Sequence, residues 1–105
     1  MTYELCAIGN AEFLIPFSLF GFTTYSPPST DALREYLENL IRQGEVGIVY
    51  IEDSYCFPVK DILEAPREAV IPIFMPVGEA PEGKSYFEHL QKESMAKAIG
   101  LSAAL

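Results

Sequence analysis

Apolar and polar positions divide this chain into short segments of two kinds. Residues 48–51 are an unbroken apolar run, Ile-Val-Tyr-Ile, with Gly47 before it and two carboxylates, Glu52 and Asp53, after it. A short run of β-branched and aromatic residues with polar ends is typical of a strand buried on both faces of a parallel sheet. We therefore expect this run to be the central strand, with every other element beside it or covering it.

Three further segments have strand character: residues 3–9, 22–25 and 69–75. Turn-forming Gly, Asn, Ser or Pro residues lie next to each of them. Pro72 lies inside the last segment, and because proline cannot donate a ladder hydrogen bond we expect that strand at a sheet edge. The two most apolar strands, the first and the third, are predicted to be central neighbours. Their mostly buried residues are predicted to be Leu5, Ala7, Ile48, Val49 and Tyr50.

The clearest amphipathic helix is predicted over residues 33–41. Apolar side chains recur there at helical spacing, and charged side chains fall elsewhere on the helical wheel. Ser29, Thr30 or Asp31 can cap its start, and Gly44 is suited to its end. This helix should therefore cover one face of the sheet.

The other three predicted helices are less regular. Residues 12–20 are apolar but contain Pro16, which predicts a short or broken helix that restarts near the proline and is closed by Gly21. Residues 57–63 form a weaker helical segment. Residues 84–100 are predicted to form the last helix, after a loop rich in Pro and Gly.

The resulting order, β-α-β-α-β-α-β-α, predicts a small doubly wound α/β fold of the flavodoxin-like or receiver-like kind. Its four-stranded parallel sheet should have the order 2-1-3-4 between two helix layers, with a C-terminal helix. At 105 residues the chain is predicted to be a single domain. Within it we separate an α/β core, residues 1–76, from a loop and last helix, residues 77–105.

Charge and hydropathy exclude some classes of partner. The chain has 15 acidic and 7 basic residues and a formal net charge of −8. A nucleic-acid binder needs a basic surface, and so does a protein that adheres to anionic lipid, so neither partner is expected. No apolar run approaches the roughly 20 residues of a membrane span. We expect a cytoplasmic protein that does not insert into a membrane.

The pair Glu52-Asp53 lies where a receiver domain keeps its phosphorylated aspartate. Such a domain also needs an acidic pair after its first strand to hold magnesium, and here that place is taken by Gly9-Asn10. Glycine-rich phosphate-binding motifs are absent from the sequence. The sequence therefore favours two solvated carboxylates at a strand end over a phosphoacceptor.

Cysteine and histidine offer little further chemistry. Cys6 lies inside the first strand, too early for the phosphocysteine loop of a sugar-phosphotransferase B domain, and Cys56 is isolated. Both are interpreted as buried thiols. His89 is the single histidine, and metal binding is not expected. The sequence predicts no catalytic, cofactor or metal site, so we expect a protein that is not an enzyme and that works through its surfaces.

The series of segments at residues 8–10, 16–22, 46–52, 71–76 and 97–100 resembles the F subunit of V-type (archaeal or vacuolar-like) ATP synthases. The resemblance covers essentially the whole chain and lies in the order and spacing of stretches such as PFSLFGF, VGIVYIE and IPIFMP. Members often carry Asp at the position of Asn10 and Arg at that of Ser18, so contacts made by those side chains are not implied here.

The resemblance implies a central-stalk subunit of the rotor that binds the coiled coil of the shaft subunit, D. It implies further partners in the catalytic A and B subunits and the rotor cap, and a place at the membrane through the complex. It also implies a role in coupling ATP synthesis or hydrolysis to proton or sodium transport. The alternative is a degenerate receiver-like or phosphotransferase-B-like signalling domain.

Aromatic and apolar residues in two regions are the predicted interface candidates. The first region is the crossover between strands one and two, and the second is the last helix, whose preceding loop suggests that it can dock elsewhere. We expect deletion of the residues after Gly83 to leave the sheet folded while weakening shaft binding. The candidate residues are Phe17, Phe20, Phe22, Tyr86, Phe87, Leu90, Met95 and Ile99.

Overall fold

Four strands and four helices alternate along the chain in a computed structural model that describes residues 2–81 and 83–104, with side chains as far as residue 100. Two short 3-10 turns, Asp53–Tyr55 and Phe57–Val59, lie between the third strand and the third helix. The elements are β1 (Glu4–Ile8), α1 (Ala11–Leu19), β2 (Thr23–Tyr25), α2 (Thr30–Gln43), β3 (Val46–Glu52), α3 (Lys60–Leu63), β4 (Ile73–Val77) and α4 (Tyr86–Ala104).

The predicted sheet topology is confirmed. All neighbouring strands are parallel, and their order is β2-β1-β3-β4. β1 and β3 are the central pair, as their apolar sequences indicate, and β4 lies at an edge. The alternation of strands and helices was therefore sufficient to give the fold class.

The position of β4 differs from the prediction. The strand runs from Ile73 to Val77, so it begins after Pro72 and extends through Pro76 into the predicted loop. Pro72 is buried just before the strand, and Pro76 is paired in register with Ile51. A proline is tolerated at both places because β4 needs ladder bonds only toward β3.

The predicted break in the first helix is wrong, since α1 continues through Pro16. The Asn10 side chain caps it, accepting a hydrogen bond from the backbone N–H of Phe13 at 2.9 Å. Pro16 costs the helix the hydrogen bond to the Glu12 carbonyl. Both residues are exposed, so water can satisfy that carbonyl and the helix does not need to break.

α1 ends in a Schellman motif centred on Gly21, whose φ is +81°. The backbone N–H of Phe22 donates to the Phe17 carbonyl at 3.2 Å, and that of Gly21 donates to the Ser18 carbonyl at 3.4 Å. The rings of Phe17 and Phe22, which flank the motif, meet edge to face with centroids 5.3 Å apart. The PFSLFGF stretch is therefore explained by the end of a helix and by the hydrophobic contact that accompanies its Schellman motif.

The remaining three helices agree with the prediction to different degrees. α2 is confirmed, with Ser29 as its N-cap and Gly44 in the left-handed conformation at its end. The segment predicted as a helix over residues 57–63 is instead a 3-10 turn followed by the short α3. α4 begins two residues later than predicted and continues four residues further.

The back face of the sheet, as we call the face covered by α2, is fully buried on the central strands. Its side chains on the two central strands each have 0% exposure, and the apolar side of α2 packs over them. Tyr25 of β2 stacks on Tyr36 of α2 with ring centroids 4.0 Å apart. The buried residues of this face are Cys6, Ile8, Val49 and Ile51, with Leu33, Leu37 and Leu40 above them.

The front face, which carries the alternate residues, is covered only in part. α1 packs over β1 and β2, where Ala7 is fully buried. Leu5, by contrast, is 42% exposed, and Ile48 and Tyr50 are half-buried. The prediction of a buried Leu5 is therefore wrong, and the second predicted helix layer consists, among the described helices, of α1 alone.

α4 projects from the domain. Its first turn packs into the back-face core, but every residue from Gln91 to Gly100 is exposed. The radius of gyration is 15.0 Å, compared with about 13 Å for a compact domain of this length. The projecting helix accounts for part of the difference.

Candidate functional site

At the carboxyl edge of the sheet, where an α/β fold normally binds its ligand, the two carboxylates that follow the apolar run of β3 make contacts within the chain. Glu52, at the end of β3, accepts a hydrogen bond from the backbone N–H of Asn10 at 2.9 Å. Gly9 permits this approach, because a Cβ there would lie 2.5 Å from the Phe13 ring and 2.8 Å from a Glu52 carboxylate oxygen. In a receiver domain the residues at this place hold magnesium. Here they instead link the turn after β1 to the end of β3.

Asp53 is buried, with 1% exposure, so the interpretation of a solvated carboxylate is wrong for this residue. Its two oxygens accept hydrogen bonds from the backbone N–H groups of Tyr86 and Phe87 at 2.8 and 2.9 Å, and from Ser85 Oγ at 3.1 Å. The carboxylate thus sits at the N-terminus of α4, where the helix dipole favours a negative charge. All of this argues against a phosphoacceptor.

A local signal for this helix start was present in the sequence. The stretch Ser85-Tyr86-Phe87-Glu88 has the S-x-x-E spacing of a capping box, and the Glu88 N–H donates to Ser85 Oγ at 3.2 Å. The pairing with Asp53 joins residues more than 30 positions apart, so no local pattern could have revealed it.

Both cysteines are buried, as predicted, and neither is disposed to react. Burial raises the pKa of the Cys6 thiol, and burial together with the nearby Asp53 carboxylate raises the pKa of Cys56 to about 12. The Cys6 sulfur lies 3.6 Å from the Tyr36 hydroxyl. Because only the thiolate is a good nucleophile, these thiols are structural.

One group of side chains could in principle hold a cation. One ligand atom each of Glu64, His89 and Glu93 lies within 4.8 Å of the other two. His89 Nε2 is 3.2 Å from a Glu93 oxygen, without the angle of a hydrogen bond, and the other Glu64 contact is the Tyr86 hydroxyl at 2.9 Å. Both carboxylates are exposed. His89 and Glu93 form an i, i+4 pair on the surface of α4, and Glu64, at the end of α3, is held near them by the Tyr86 hydroxyl.

The candidate residues of the crossover occupy two different environments. Phe17 and Phe22 are half-buried and pack on Tyr50 with ring centroids 5.8 and 5.7 Å away. They therefore cover the sheet. Phe20, by contrast, is 80% exposed and contributes nothing of comparable size to the core.

The candidate residues of α4 also divide. Tyr86 is only 2% exposed, and its ring meets that of Phe57 edge to face, so it is a core residue in this conformation. Leu90 is half-buried at the rim of the core. The residues with the largest exposed apolar surface are Phe87, Met95 and Ile99, at 44%, 64% and 66%.

A further apolar surface was missed by the sequence reasoning. We call it the open face, and it consists of Leu5, Ile48, Ile73 and Met75 on the front of the sheet; the three outermost are 40–43% exposed. A strand that is apolar on both faces was the available signal, but that pattern was interpreted as burial within the chain.

The described residues contain no helix with the length and apolar character that crossing a membrane requires. The geometry therefore offers closed polar contacts at the carboxyl edge and exposed apolar side chains elsewhere. Such a surface is suited to binding another protein.

Comparison with known proteins assigns a family to this architecture. The family described as ATP synthase (F/14-kDa) subunit matches residues 5–99. The F subunit of the A-type ATP synthase of Methanospirillum hungatei is 31% identical over 91 residues, which cover 85% of this chain and 91% of the relative. Its counterpart in Archaeoglobus fulgidus is 29% identical over 100 residues, covering 93% of this chain and 94% of the relative.

A solved structure agrees with the fold. The crystal structure of the F subunit of the V-type ATP synthase of Archaeoglobus fulgidus superposes with a TM-score of 0.62 at 25% sequence identity. It covers 74% of this chain and 100% of the solved chain. Sequence and structure thus point to the same protein family.

Proposed function

This chain belongs to the family of the ATP synthase (F/14-kDa) subunit, and from that premise we propose that it binds the shaft subunit, D, in the central stalk of the rotor. Members of the family are non-catalytic subunits of a rotary ATP synthase. The proposal concerns the partner and the position within the complex.

The observation that carries the proposal is the extent of the family match. Residues 5–99 include all four strands except the first residue of β1, and most of α4, so the match covers the scaffold and the projecting helix together. The contacts at the carboxyl edge support a binding role, because Glu52 and Asp53 are engaged by groups of the chain itself. What the molecule offers a partner is apolar surface.

By binding the shaft subunit, the protein helps to couple ATP synthesis or hydrolysis to proton or sodium transport. The projecting part of α4 is suited to reach beyond the domain, toward the catalytic A and B subunits, while the rest contacts the shaft and the rotor cap. In this arrangement the protein is cytoplasmic and peripheral to the membrane, held there by the complex.

Co-expression with the shaft subunit of the same organism tests the proposal. The two chains should co-elute in size-exclusion chromatography as a 1:1 complex, and the isolated chain should give a flat calorimetric titration with MgATP. Separate elution of two folded chains would contradict the proposed partner. Stoichiometric nucleotide binding would contradict the absence of a nucleotide site.

The alternative, a receiver-like or phosphotransferase-like domain, is not favoured by these contacts. Asp53 has no oxygen free of hydrogen bonds, and Cys6 lies inside β1 with a raised pKa. Incubation with acetyl phosphate, followed by mass spectrometry, should give no modification at either residue. Stoichiometric labelling of Asp53 or Cys6 would reverse this preference.

A further inference from the structure

The front face of the sheet is only partly covered by the chain itself. α1 packs against β1 and β2, and its aromatic residues reach Tyr50 on β3. On the remaining part lie Ile73 and Met75 of β4, 43% and 40% exposed, and Leu5 of β1, 42% exposed. These side chains share the open face with the half-buried Ile48.

The register of the sheet makes the open face a continuous strip. Leu5 pairs with Ile48, Ile48 pairs with Ile73, and Met75 lies two residues further along β4. Neighbouring strands are about 4.8 Å apart, so the row across three strands is about 10 Å wide. An α-helix with its side chains is about 10–12 Å across. The strip therefore has the width that a single helix covers.

We propose that the open face is the docking surface for one amphipathic helix of the shaft subunit. The inference rests on the function proposed above and adds the surface and the mode of binding. Parallel sheets are characteristically covered by helices on both faces. The described helices of this chain cannot complete the cover as they stand, because α2 and α3 lie on the back and α4 starts in the back-face core at Tyr86. The partner's helix takes the vacant position.

Charge indicates the character of that helix. β1, α1, β2, β3 and β4 contain no Lys or Arg, since all seven basic residues lie in α2, α3, α4 or the loops beside them. Acidic residues, by contrast, lie at both ends of the central strand β3, with Glu45 before it and Glu52 at its carboxyl end. A helix with an apolar stripe flanked by Lys and Arg complements this surface.

The same charges disfavour a second copy of this chain as the occupant. Each copy has a formal net charge of −8, and face-to-face pairing would bring two sheets without basic residues together. A stable interface involves about 20–30 residues per partner, many more than the four of the open face. The open face is therefore the apolar centre of a larger contact, whose outer part lies on neighbouring exposed residues such as those of α1 and α4.

Single substitutions in the co-expressed complex test this surface. Ile73→Asp places a charge at the centre of the contact, and we expect the Kd for the shaft subunit to rise at least 100-fold. The matched control is Val70→Asp, in the loop before β4, where the side chain is 78% exposed; its Kd should change less than threefold. Circular dichroism establishes that both variants are folded.

A photo-crosslinking amino acid at Met75 provides a second measurement that does not depend on the folding of an Asp variant. We expect position 75 to crosslink to the shaft subunit and position 70 to give no crosslink. Three results overturn the inference: unchanged affinity of folded Ile73→Asp, loss of affinity in Phe20→Asp with no crosslink at position 75, or a crosslink between two copies of this chain. In each of these the proposed binding of the shaft can still stand. Failure of the wild-type chain to bind the shaft subunit overturns both the proposed function and the proposed docking surface.

Discussion

The two faces of one sheet behave differently although the same strands form them. On the back, Val49 and Ile51 have 0% exposure under α2. On the front, Leu5 and Ile73 are 42% and 43% exposed, although they belong to strands of equal apolar character. An apolar side chain on a strand thus indicates that another element packs against that face of the sheet. It does not indicate whether that element belongs to the same chain or to a partner.

The largest expected effect comes from placing a charge on the back face. Val49→Asp leaves a carboxylate with no partner in a closed core, and should cost more than about 4 kcal/mol of the free energy of unfolding. The neighbouring change Ile48→Asp places its charge on the half-buried front face. It should cost about 1–2 kcal/mol. Thermal melts followed by circular dichroism distinguish the two.

Val49→Ala serves as the control for packing without charge, with an expected loss of about 2 kcal/mol. A cooperative melt of Val49→Asp near the wild-type temperature would mean that the back face is not the closed core. Equal destabilisation by the Asp variants at positions 48 and 49 would remove the distinction between the faces.

A smaller effect is expected from shortening α4, which joins the back face at one end only. Removal of all residues after Gly83 deletes Tyr86 and leaves the buried Asp53 without its three donors. We expect a loss of about 3–5 kcal/mol. Removal of the residues after Gln91 takes away side chains that are exposed as far as Gly100, and it should change stability by less than about 1 kcal/mol.

Urea denaturation of the two truncated proteins measures this difference. The expectation that the sheet tolerates deletion after Gly83 arose from the Pro- and Gly-rich loop, and the Asp53 contacts place the tolerant boundary further along α4. If the shorter protein is as stable as the longer one, the first turn of α4 is not part of the core.

Local signals accounted for much of the fold. The caps of α2 at Ser29 and Gly44 and the apolar run of β3 could be predicted from the sequence, because each depends only on residues that are close together in the chain. The strand order also followed from relative apolarity. By contrast, the path of α1 through Pro16 was missed, because the prediction gave one lost hydrogen bond more weight than the capped turn before it.

The candidate site was less predictable, because its character depends on residues far apart in the chain. Asp53 was expected in solvent and is instead held by the N-terminus of α4. Phe20 was selected for its aromatic side chain, and its 80% exposure is consistent with that selection. The open face could not be found from the strands alone, since Leu5 and Val49 are equally apolar in the sequence and differ only in what lies above them.

The smallest expected effect concerns the contact that joins the two helices of the back layer. Arg34 of α2 forms a two-pronged ion pair with Asp61 of α3, with one guanidinium nitrogen 3.0 Å from a carboxylate oxygen. The same nitrogen donates to the Pro58 carbonyl at 3.2 Å. Because the side chain of Asp61 is 60% exposed and that of Arg34 is 35% exposed, water screens the pair, and Asp61→Asn should lower Tm by at most about 4 °C.

The pH dependence of this difference identifies its origin. The hydrogen bonds from Arg34 hold the pKa of Asp61 below its ordinary value of 3.8. A lowered pKa in the folded state stabilises the protein above the ordinary value, and the contribution is lost as the pH falls through the lower folded value. The Tm difference between wild type and Asp61→Asn should therefore be full at neutral pH and vanish in acid. Glu35→Gln, which removes an exposed carboxylate from α2, is the control and should show no such convergence.

At about 1 M salt, where the Debye length is about 3 Å, the Asp61→Asn difference should shrink at neutral pH too. A difference that persists in acid and in salt would show that the side chain at position 61 acts through packing, and the back layer would then be held by apolar contacts alone.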